Sequence, residues 1–416
     1  MKVLVIGTGA REHALVRSLS VDPSVDAVVA APGNPGIARL ADCVPVDAAD
    51  PAAVVALATS LGVDLVVVGP EVPLVAGVGD AVRAAGIACF GPDAAAARLE
   101  GSKAFAKEVM AAAGVPTALA RVCTTGDQVA SALDAFGAPH VVKDDGLAAG
   151  KGVVVTSDRA AALAHGEACL AKPDGVVVVE QYLDGPEVSL FCVTDGVDVV
   201  PLAPAQDFKR LGDGDEGPNT GGMGAYSPLP WLDAGLSRAV VERVAQPVVT
   251  EMARRGTPFV GLLYVGLAIT SIGPRVVEFN ARFGDPETQV VLPRLATPLG
   301  VLLHAAATGR LVEVGDLRWH AEAAVAVVVA SAGYPAAARS GDAVTGIEAA
   351  ESLPGVHVLH AGTGLAADGT LQAAGGRVLT VVGTGADLAA ARTAAYGGVA
   401  EIRLEGSQHR TDIAAS

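Results

Sequence analysis

The sequence has few aromatic residues, few lysines, no paired cysteines and no long apolar run. Aromatic residues make up 4% of the 416 residues and hydrophobic residues 51%, so we expect cores of Ala, Val and Leu in two to four domains. No apolar stretch reaches membrane-spanning length. The scattered cysteines predict reduced thiols in a cytoplasmic protein, and they are Cys43, Cys89, Cys123, Cys169 and Cys192.

Positive charge is scarce as well. The formal net charge is -16, which argues against non-specific binding to nucleic acid or to an anionic membrane. The start at Met1 predicts a strand and not a signal peptide. Only seven of the 29 basic residues are Lys. Four of these lie in glycine-rich or acidic motifs, where a compact ammonium group suits a phosphate, and they are Lys103, Lys143, Lys151 and Lys209.

The N-terminal third alternates short apolar runs with Ala-rich stretches. Such alternation predicts a doubly wound parallel sheet, with strands expected at residues 2–6, 27–31, 63–68 and 87–90. Ligands of such sheets bind beyond the carboxyl ends of the strands, where Glu71 is expected. Glu71 is equally well explained as the first residue of a helix.

A Gly-x-Gly turn follows the first strand. Its spacing begins like a dinucleotide fingerprint, but Glu12 stands where the third glycine belongs, so it indicates NAD only weakly. Backbone N–H groups near Gly9, with Arg11 beside them, would suit a phosphate monoester. A plain strand-to-helix turn is the alternative.

Residues 141–155 predict two strands that flank a glycine loop. Lys143 ends the first strand, and Gly150, Lys151 and Gly152 lie in the loop. The spacing is not that of a Walker A motif, and we expect a hairpin that folds over phosphates. Upstream, Ser102 is the expected N-cap of a helix. Lys103 in the first turn opposes the helix dipole and predicts an anionic partner.

Two further segments carry candidate ligands. Residues 176–187 predict a strand that ends in acceptors, and the backbone at Gln181–Leu183 could read an adenine edge while Glu187 holds ribose hydroxyls. Solvated turn residues are the alternative. Residues 206–228 form a long glycine-rich polar segment, which is typically functional or disordered, and its tightly turned end favours function.

Residues 275–289 carry the candidate metal site. Val276, Val277 and Phe279 predict a buried strand, antiparallel to a strand over 261–270. Side chains alternate along a strand, so Glu278 and Asn280 share one face. Carboxylate and amide oxygens suit Mg²⁺ or Mn²⁺ held together with nucleotide phosphates. A strand with a solvated polar face is the alternative.

Together these segments resemble the phosphoribosylamine–glycine ligase family of ATP-grasp enzymes. The resemblance covers nearly the whole chain and rests on residues 7–14, 69–77, 99–107, 143–153, 206–228, 278–289, 331–335, 361–363 and 375–379. Three positions depart from the family pattern: Asp144 and Ala10 replace the usual Ala and Gly, and Phe208 replaces a His. Asp144 adds negative charge near the phosphate loop, so we expect it to affect ATP affinity.

The resemblance implies a three-part α/β architecture. Its parts are an N-terminal doubly wound parallel sheet of the pre-ATP-grasp type (1–102), a two-lobed ATP-grasp domain (103–320, with a mobile small lobe at 116–188) and a small C-terminal α+β domain (321–416). It implies that ATP, glycine and 5-phosphoribosylamine give glycinamide ribonucleotide, ADP and phosphate through glycyl phosphate, in de novo purine biosynthesis. The expected protein is a cytoplasmic enzyme that binds small molecules, with monomer as the expected state.

The resemblance also implies roles for individual residues. Those expected to act in catalysis are Arg282, Lys151 and Asp207. Those expected to bind ATP are Lys103, Lys143, Gly150, Lys151, Gly152, Glu180, Gln181, Leu183 and Glu187. Those expected to bind the other substrates are Gly9, Arg11, Glu12, Glu71, Asp207, Lys209, Asn219, Gly221 and Arg282. Glu278 and Asn280 are the expected metal ligands.

Three other functions stay open on the sequence. Another ATP-grasp carboxylate–amine ligase would use the same ATP-binding residues on a different acid. An NAD-dependent oxidoreductase rests on the Gly-x-Gly turn alone. A nucleotide sensor would bind ATP without turnover.

Overall fold

The N-terminal domain is a five-stranded parallel sheet between helices. The computed structural model of the protein describes residues 1–147 and 152–415. The strand order is β3-β2-β1-β4-β5, which confirms the doubly wound prediction. The elements are β1 Lys2–Gly7, α1 Ala10–Ser20, β2 Ala27–Pro32, β3 Asp42–Cys43, α2 Pro51–Leu61, β4 Leu65–Val68, α3 Glu71–Val75, α4 Val78–Ala84, β5 Ala88–Phe90 and α5 Ala94–Gly101.

The small lobe is a four-stranded antiparallel sheet with two helices and a core of its own, built around Val129, Leu133, Val142 and Val179. A linking helix precedes it. The elements are α6 Lys103–Ala112, β6 Ala120–Cys123, α7 Gly126–Phe136, β7 His140–Asp144, β8 Val153–Thr156, α8 Arg159–Leu170 and β9 Val177–Glu180. Strands β7 and β8 pair as the expected antiparallel hairpin. A separate core lets the lobe move as a unit.

The large lobe is built on a second antiparallel sheet, in the order β11-β10-β16-β17. Its elements are β10 Glu187–Asp195, β11 Val199–Pro201, β12 Gln206–Asp207, β13 Arg210–Gly212, β14 Glu216–Asn219, β15 Gly224–Ser227, α9 Leu236–Val240, α10 Gln246–Arg254, β16 Val260–Thr270, β17 Gly273–Asn280, α11 Thr288–Val291 and α12 Leu299–Ala307. The hairpin of β16 and β17 carries the candidate metal ligands and confirms the expected pairing.

The C-terminal region completes a third sheet, in the order β12-β15-β18-β22-β19. Its elements are β18 Ala323–Ala330, α13 Ile347–Glu351, β19 Val356–His360, β20 Thr363–Leu365, β21 Leu371–Ala373, β22 Arg377–Gly385 and α14 Leu388–Glu401. Strands β12 and β15 come from the glycine-rich segment of residues 206–228, so this part of the expected central domain lies in the C-terminal sheet. Among the described residues, no helix is both long and apolar enough to cross a membrane.

Candidate active site

A β-bulge shapes the strand that carries the candidate metal ligands. Glu278 pairs with Gly266, whereas Val276 pairs with the next residue, Leu267, so Val277 is the extra residue of the bulge. Val276 and Phe279 are buried as expected, but Val277 is only half-buried, and the prediction of a uniformly buried strand is wrong at that position. The bulge leaves the Val277 carbonyl outside the ladder with β16.

The small lobe contacts this bulge through a buried lysine. Lys143 Nζ lies 3.0 Å from the Val277 carbonyl oxygen and 2.9 Å from Glu180 Oε2. Lys107 Nζ lies 3.2 Å from the other carboxylate oxygen of Glu180. Burial lowers the pKa of Lys107, and Glu180 opposes that shift. Glu180, which the resemblance places among the ATP contacts, therefore holds two ammonium groups at the junction of the lobes.

Glu278 is surrounded by positive side chains. Burial raises the pKa of this carboxyl, but the cations of Lys209, Lys143 and Lys103 outweigh burial and hold its pKa below the ordinary value. Glu278 is therefore ionised at neutral pH. Asn280 pairs with Tyr264 at the end of the same strand, two residues along. The structure thus brings the lysines predicted to bind phosphate around the carboxylate predicted to bind metal.

The Asp145 carboxylate contacts the start of α6, and it does so through other groups than the Lys103 side chain. Ser102 accepts from the Phe105 N–H at 3.1 Å, which confirms it as the N-cap. The Asp145 carboxylate accepts from the Ala104 N–H at 2.9 Å and from Ser102 Oγ at 3.0 Å. Lys103 Nζ instead donates to the Gly146 carbonyl at 2.9 Å, so within the described residues its hydrogen bond is to a backbone carbonyl, and the anionic partner expected for Lys103 stays a prediction. The carboxylate satisfies the helix start and leaves the ammonium group near the hairpin loop.

The charge of Asp144 is balanced within the small lobe. Lys172 Nζ lies 2.5 Å from its carboxylate. The Asp144 N–H donates to the Gly152 carbonyl at 2.8 Å, which holds the second strand of the hairpin. The expected effect of Asp144 on ATP affinity is therefore reduced by a local ion pair. Gly150 and Lys151 lie outside the described residues.

Asp207 and Lys209 face a group of carboxylates. Lys209 forms an ion pair with Glu187, the residue expected on ribose. Burial raises the pKa of Asp207 to about 7, Lys209 opposes this, and the neighbouring carboxylates of Glu287 and Glu187 add to it. Asp207 therefore changes its charge near neutral pH, which suits a group that exchanges a proton with an amine.

A buried polar cluster beside Asp207 was not foreseen. Glu287 Oε1 accepts from Tyr264 at 2.9 Å and from Ser189 at 3.0 Å, and these two hydroxyls lie 2.7 Å apart. Glu287 is 3% exposed. One signal for Glu287 was present in the sequence, since this second acid follows Asp285 in the same turn. Nothing in the pattern of β10 or β16 marks Ser189 or Tyr264.

Arg282 is held by two carboxylates from the N-terminal domain. Its Nε lies 3.2 Å from Glu71 and its terminal nitrogen 2.8 Å from Glu100. Glu100 also accepts from the Ala281 N–H at 2.7 Å. Burial raises the pKa of Glu100, with Arg282 opposing it. Glu71 begins α3, so its two interpretations from sequence are compatible. Glu100 was given no role from the sequence although it lies in the 99–107 segment, because nothing local marks its contact with Arg282.

The first turn of α1 already contains a carboxylate. Glu12 accepts from the Gly9 N–H at 2.6 Å and from Arg11 Nε at 2.5 Å, and it is 1% exposed. A Cβ at position 69 would lie 2.1 Å from Glu12, so Gly69 is required there. Arg11 also donates to the Phe283 carbonyl at 3.2 Å. This differs from the expected open anion site, because Glu12 already accepts from the Gly9 N–H, one of the backbone groups expected to face a phosphate.

The remaining expected residues lie at the end of a strand or in the connections between strands. The Gln181 N–H donates to the Leu119 carbonyl at 2.9 Å, and half-buried Leu183 follows in the connection to β10. Asn219 ends β14. Gly221 donates to the Tyr334 hydroxyl at 2.9 Å and accepts from Arg377 at 2.5 Å. Tyr334 and Arg377 were noted only as part of C-terminal motifs.

Comparisons with known proteins cover the whole of this architecture. Three family models match: "Phosphoribosylglycinamide synthetase, N domain" at residues 1–100, "Phosphoribosylglycinamide synthetase, ATP-grasp (A) domain" at 101–288 and "Phosphoribosylglycinamide synthetase, C domain" at 324–416. The chain is 68% identical over 417 residues to a phosphoribosylamine–glycine ligase of Streptomyces coelicolor, covering 100% of this chain and 99% of the relative.

Two solved structures are similar in fold. A phosphoribosylamine–glycine ligase of Thermotoga maritima superposes with a TM-score of 0.84 at 31% identity, covering 100% of both chains. The biotin carboxylase domain of the Hydrogenobacter thermophilus 2-oxoglutarate carboxylase, in complex with MgADP, superposes with a TM-score of 0.70 at 17% identity, covering 98% of this chain and 91% of that one. The second likeness shows the fold alone.

Proposed function

The chain belongs to the phosphoribosylglycinamide synthetase family, and from this we propose that it joins glycine to 5-phosphoribosylamine at the expense of ATP. The products are glycinamide ribonucleotide, ADP and phosphate, in de novo purine biosynthesis. The observation that carries the proposal is the ionised Glu278 with Lys209, Lys143 and Lys103 around it, at the junction of the two lobes.

The chemistry requires activation of an unreactive acid. The glycine carboxylate has no good leaving group, and transfer of the γ-phosphoryl group makes glycyl phosphate, whose phosphate leaves when the amine attacks. The protein supplies orientation and charge neutralisation more than covalent chemistry. Lys103 and Lys143 support this, since both ammonium groups lie near the predicted phosphate hairpin. Lys151, Gly150 and Gly152 are proposed to complete it.

A divalent cation fits the donors on β17. Glu278 is ionised and Asn280 offers an amide oxygen two residues along, so both are hard ligands on one strand. Among the described residues no group of three or more His, Cys, Asp or Glu side chains is arranged to bind a metal. When bound, Mg²⁺, or alternatively Mn²⁺, would neutralise phosphate charge.

Adenine and ribose are assigned to the segment between β9 and β10. We propose that backbone groups of Gln181–Leu183 read adenine and that Glu187 holds ribose hydroxyls. The Gln181 N–H already donates to Leu119, so we assign the adenine contacts to the Gln181 carbonyl and to the backbone N–H and carbonyl of Leu183. Glu180 supports ATP indirectly by positioning Lys143.

Glycine is assigned to Asp207 and Arg282. An ammonium group suits Asp207, and a carboxylate suits Arg282, with Lys209 beside them. Arg282 already binds Glu71 and Glu100, so its role would be to supply positive charge rather than a free bidentate fork.

Phosphoribosylamine is assigned to the cleft that the N-terminal domain closes. We propose that Glu12 and Glu71 accept from ribose hydroxyls and that Arg11, beside Gly9, faces the phosphate with the terminal nitrogen that Phe283 does not use. Asn219 and Gly221 border the same cleft in the glycine-rich segment.

The test is release of ADP with each substrate omitted in turn. Full activity is expected only with ATP, glycine and phosphoribosylamine together, and other amino acids in place of glycine would identify a ligase of different specificity. Glu278→Gln is expected to abolish glycine-dependent ADP release, because it removes an anionic metal ligand. The control Glu242→Gln removes an exposed carboxylate paired with Arg238 on α9. Full activity of the Glu278 variant would contradict the metal assignment.

We also propose that the protein acts in the cytoplasm as a monomer. All five cysteines are free thiols, and burial raises the pKa of Cys89 and of Cys192 to about 12, so both stay protonated. Such thiols persist where the environment is reducing. Sedimentation equilibrium at catalytic concentrations would measure the state, and a dimer mass would contradict the proposal.

A further inference from the structure

A short segment near the C-terminal end of the chain binds the glycine-rich segment of residues 206–228. We call residues 408–413 the C-terminal clasp. The clasp is attached to its own domain: the Gln408 N–H donates to the Ala330 carbonyl at 2.8 Å, and the Tyr396 hydroxyl of α14 donates to the Arg410 carbonyl at 2.9 Å. It is therefore fixed on one side by the C-terminal sheet and helix.

On its other side the clasp contacts the hairpin of β13 and β14. Arg410 Nη1 donates to Asp215 at 2.7 Å and to the Arg210 carbonyl at 3.3 Å. Its other guanidinium nitrogens bind both carboxylate oxygens of Asp412, at 2.7 and 2.6 Å. The Arg410 side chain is 1% exposed, whereas that of Asp215 is 70% exposed. A buried guanidinium group that makes four hydrogen bonds fixes the positions of both carboxylates.

Two further clasp residues bind the tip of the same hairpin. Thr411 donates through its N–H to Asp213 at 2.7 Å and through its hydroxyl to the same carboxylate. Asp412 accepts from the Gly214 N–H at 2.8 Å. The 213–215 tip is thus held by side chains and backbone of the clasp.

The guanidinium group also lies over the ring of Phe208, with its carbon 4.7 Å from the ring centroid. Phe208 lies between Asp207 and Lys209, and its backbone pairs with Gly224 at 3.0 Å and with Met223 at 2.8 Å. Because side chains alternate along an extended segment, a ring against the clasp leaves Asp207 and Lys209 on the opposite face. That face is the one that meets Glu187 and Glu278.

We propose that Arg410 is a positioning residue for the ligation reaction. Arg410 acts through Phe208 and the β13–β14 hairpin, and it thereby holds Asp207 and Lys209 at the site proposed for glycine. It contacts neither side chain itself. The inference rests on the proposed function, since it assigns importance to those two residues.

The test is steady-state kinetics of Arg410→Met, which keeps an apolar contact with the ring and removes the charge. We expect kcat to fall about ten-fold or more and the KM for glycine to rise, because small displacements of positioned groups are costly. The KM for ATP should rise less than the KM for glycine, since Glu187 pairs with Lys209 but the residues proposed to bind adenine and phosphates lie on other elements. A purely structural role would lower thermal stability without this split between substrates.

A second variant guards against failure of Arg410→Met to fold. The double variant Asp213→Asn/Asp215→Asn alters carboxylates at the hairpin tip and should reduce kcat in the same direction, by a smaller factor. Arg339→Met, which removes an arginine that binds Asp342 within the C-terminal domain, is the matched control and should behave as wild type. Wild-type kinetics in the Asn double variant, or equal losses for glycine and ATP, would overturn the inference. An inactive wild-type protein would instead refute the proposed function.

Discussion

At the scale of single residues, the charge on Asp207 is set by its neighbours. Burial and the charges of three glutamates raise its pKa to about 7. The ionised form is the one that can bind or deprotonate an amine, so glycine-dependent ADP release is expected to rise with pH through about 7. Glu287→Gln removes a neighbouring negative charge, lowers the pKa of Asp207 and should move this acid limb to lower pH.

The measurement is the pH profile of kcat/KM for glycine. Asp207→Asn is expected to lack the limb as well as most of the activity. If the acid limb of the Glu287→Gln profile coincides with that of the wild type, a group other than Asp207 controls the pH dependence.

Some single residues of the candidate site could be predicted from the sequence, and others could not. The strand that carries Glu278 and Asn280 could be predicted, because the flanking apolar residues mark it and its pairing with β16 is local. Glu100 and Tyr264 could not be found, since they reach the site only through packing of elements distant in sequence. The position of the bulge was likewise hidden, because one extra residue leaves no compositional mark.

At the scale of elements, the hairpin proposed to cover phosphates contacts the start of α6 through the Asp145 carboxylate and through the bond from Lys103 to the Gly146 carbonyl. Asp145 receives the Ala104 N–H and the Ser102 hydroxyl. Asp145→Ala is expected to cost about 1–2 kcal/mol of unfolding free energy, by the loss of a helix-start acceptor. It should also raise the KM for ATP several-fold, because the hairpin loses its carboxylate contact with α6 and keeps only the bond from Lys103 to the Gly146 carbonyl.

The control for this prediction lies in the same lobe. Asp158 caps α8 through the Ala160 and Ala161 N–H groups, at 2.8 and 3.2 Å. Asp158→Ala should lose similar stability, measured by urea unfolding, without a change in the KM for ATP. An equal change in KM for both variants would mean that general stability, and not the contact with α6, controls ATP binding.

At the scale of the whole molecule, the order of the three parts followed from the sequence, but the membership of the third sheet did not. Strand β15 pairs with β18, about one hundred residues further along the chain, and β12 joins the sheet by pairing with β15. Such pairing depends on which apolar faces meet after folding, and the two short strands lie in a segment whose glycines predict a loop. The clasp likewise depends on contacts between segments far apart in the chain, because residues 408–413 bind the tip of the β13–β14 hairpin.

The N-terminal and C-terminal domains meet at buried histidines. His13 Nδ1 of α1 accepts from the His360 N–H at 2.9 Å, and the two rings are 5.7 Å apart. Burial lowers the pKa of His360 to about 4 and holds that of His13 well below its usual value. Both rings are therefore neutral at pH 7 in the folded protein.

This predicts a loss of stability in mild acid. The unfolded chain takes up protons at a pKa near 6.5, so the contribution of His360 is complete above that pH and is lost as the pH falls toward 4. Between pH 7 and 5 the loss is about 2 kcal/mol. His360→Asn should lose about 2 kcal/mol less than wild type over that interval in urea unfolding, and the shared contribution of Asp207 cancels in this difference. His320→Asn, at an exposed site, should follow the wild-type curve. If His360→Asn and wild type lose the same free energy, the domain contact does not depend on a neutral histidine.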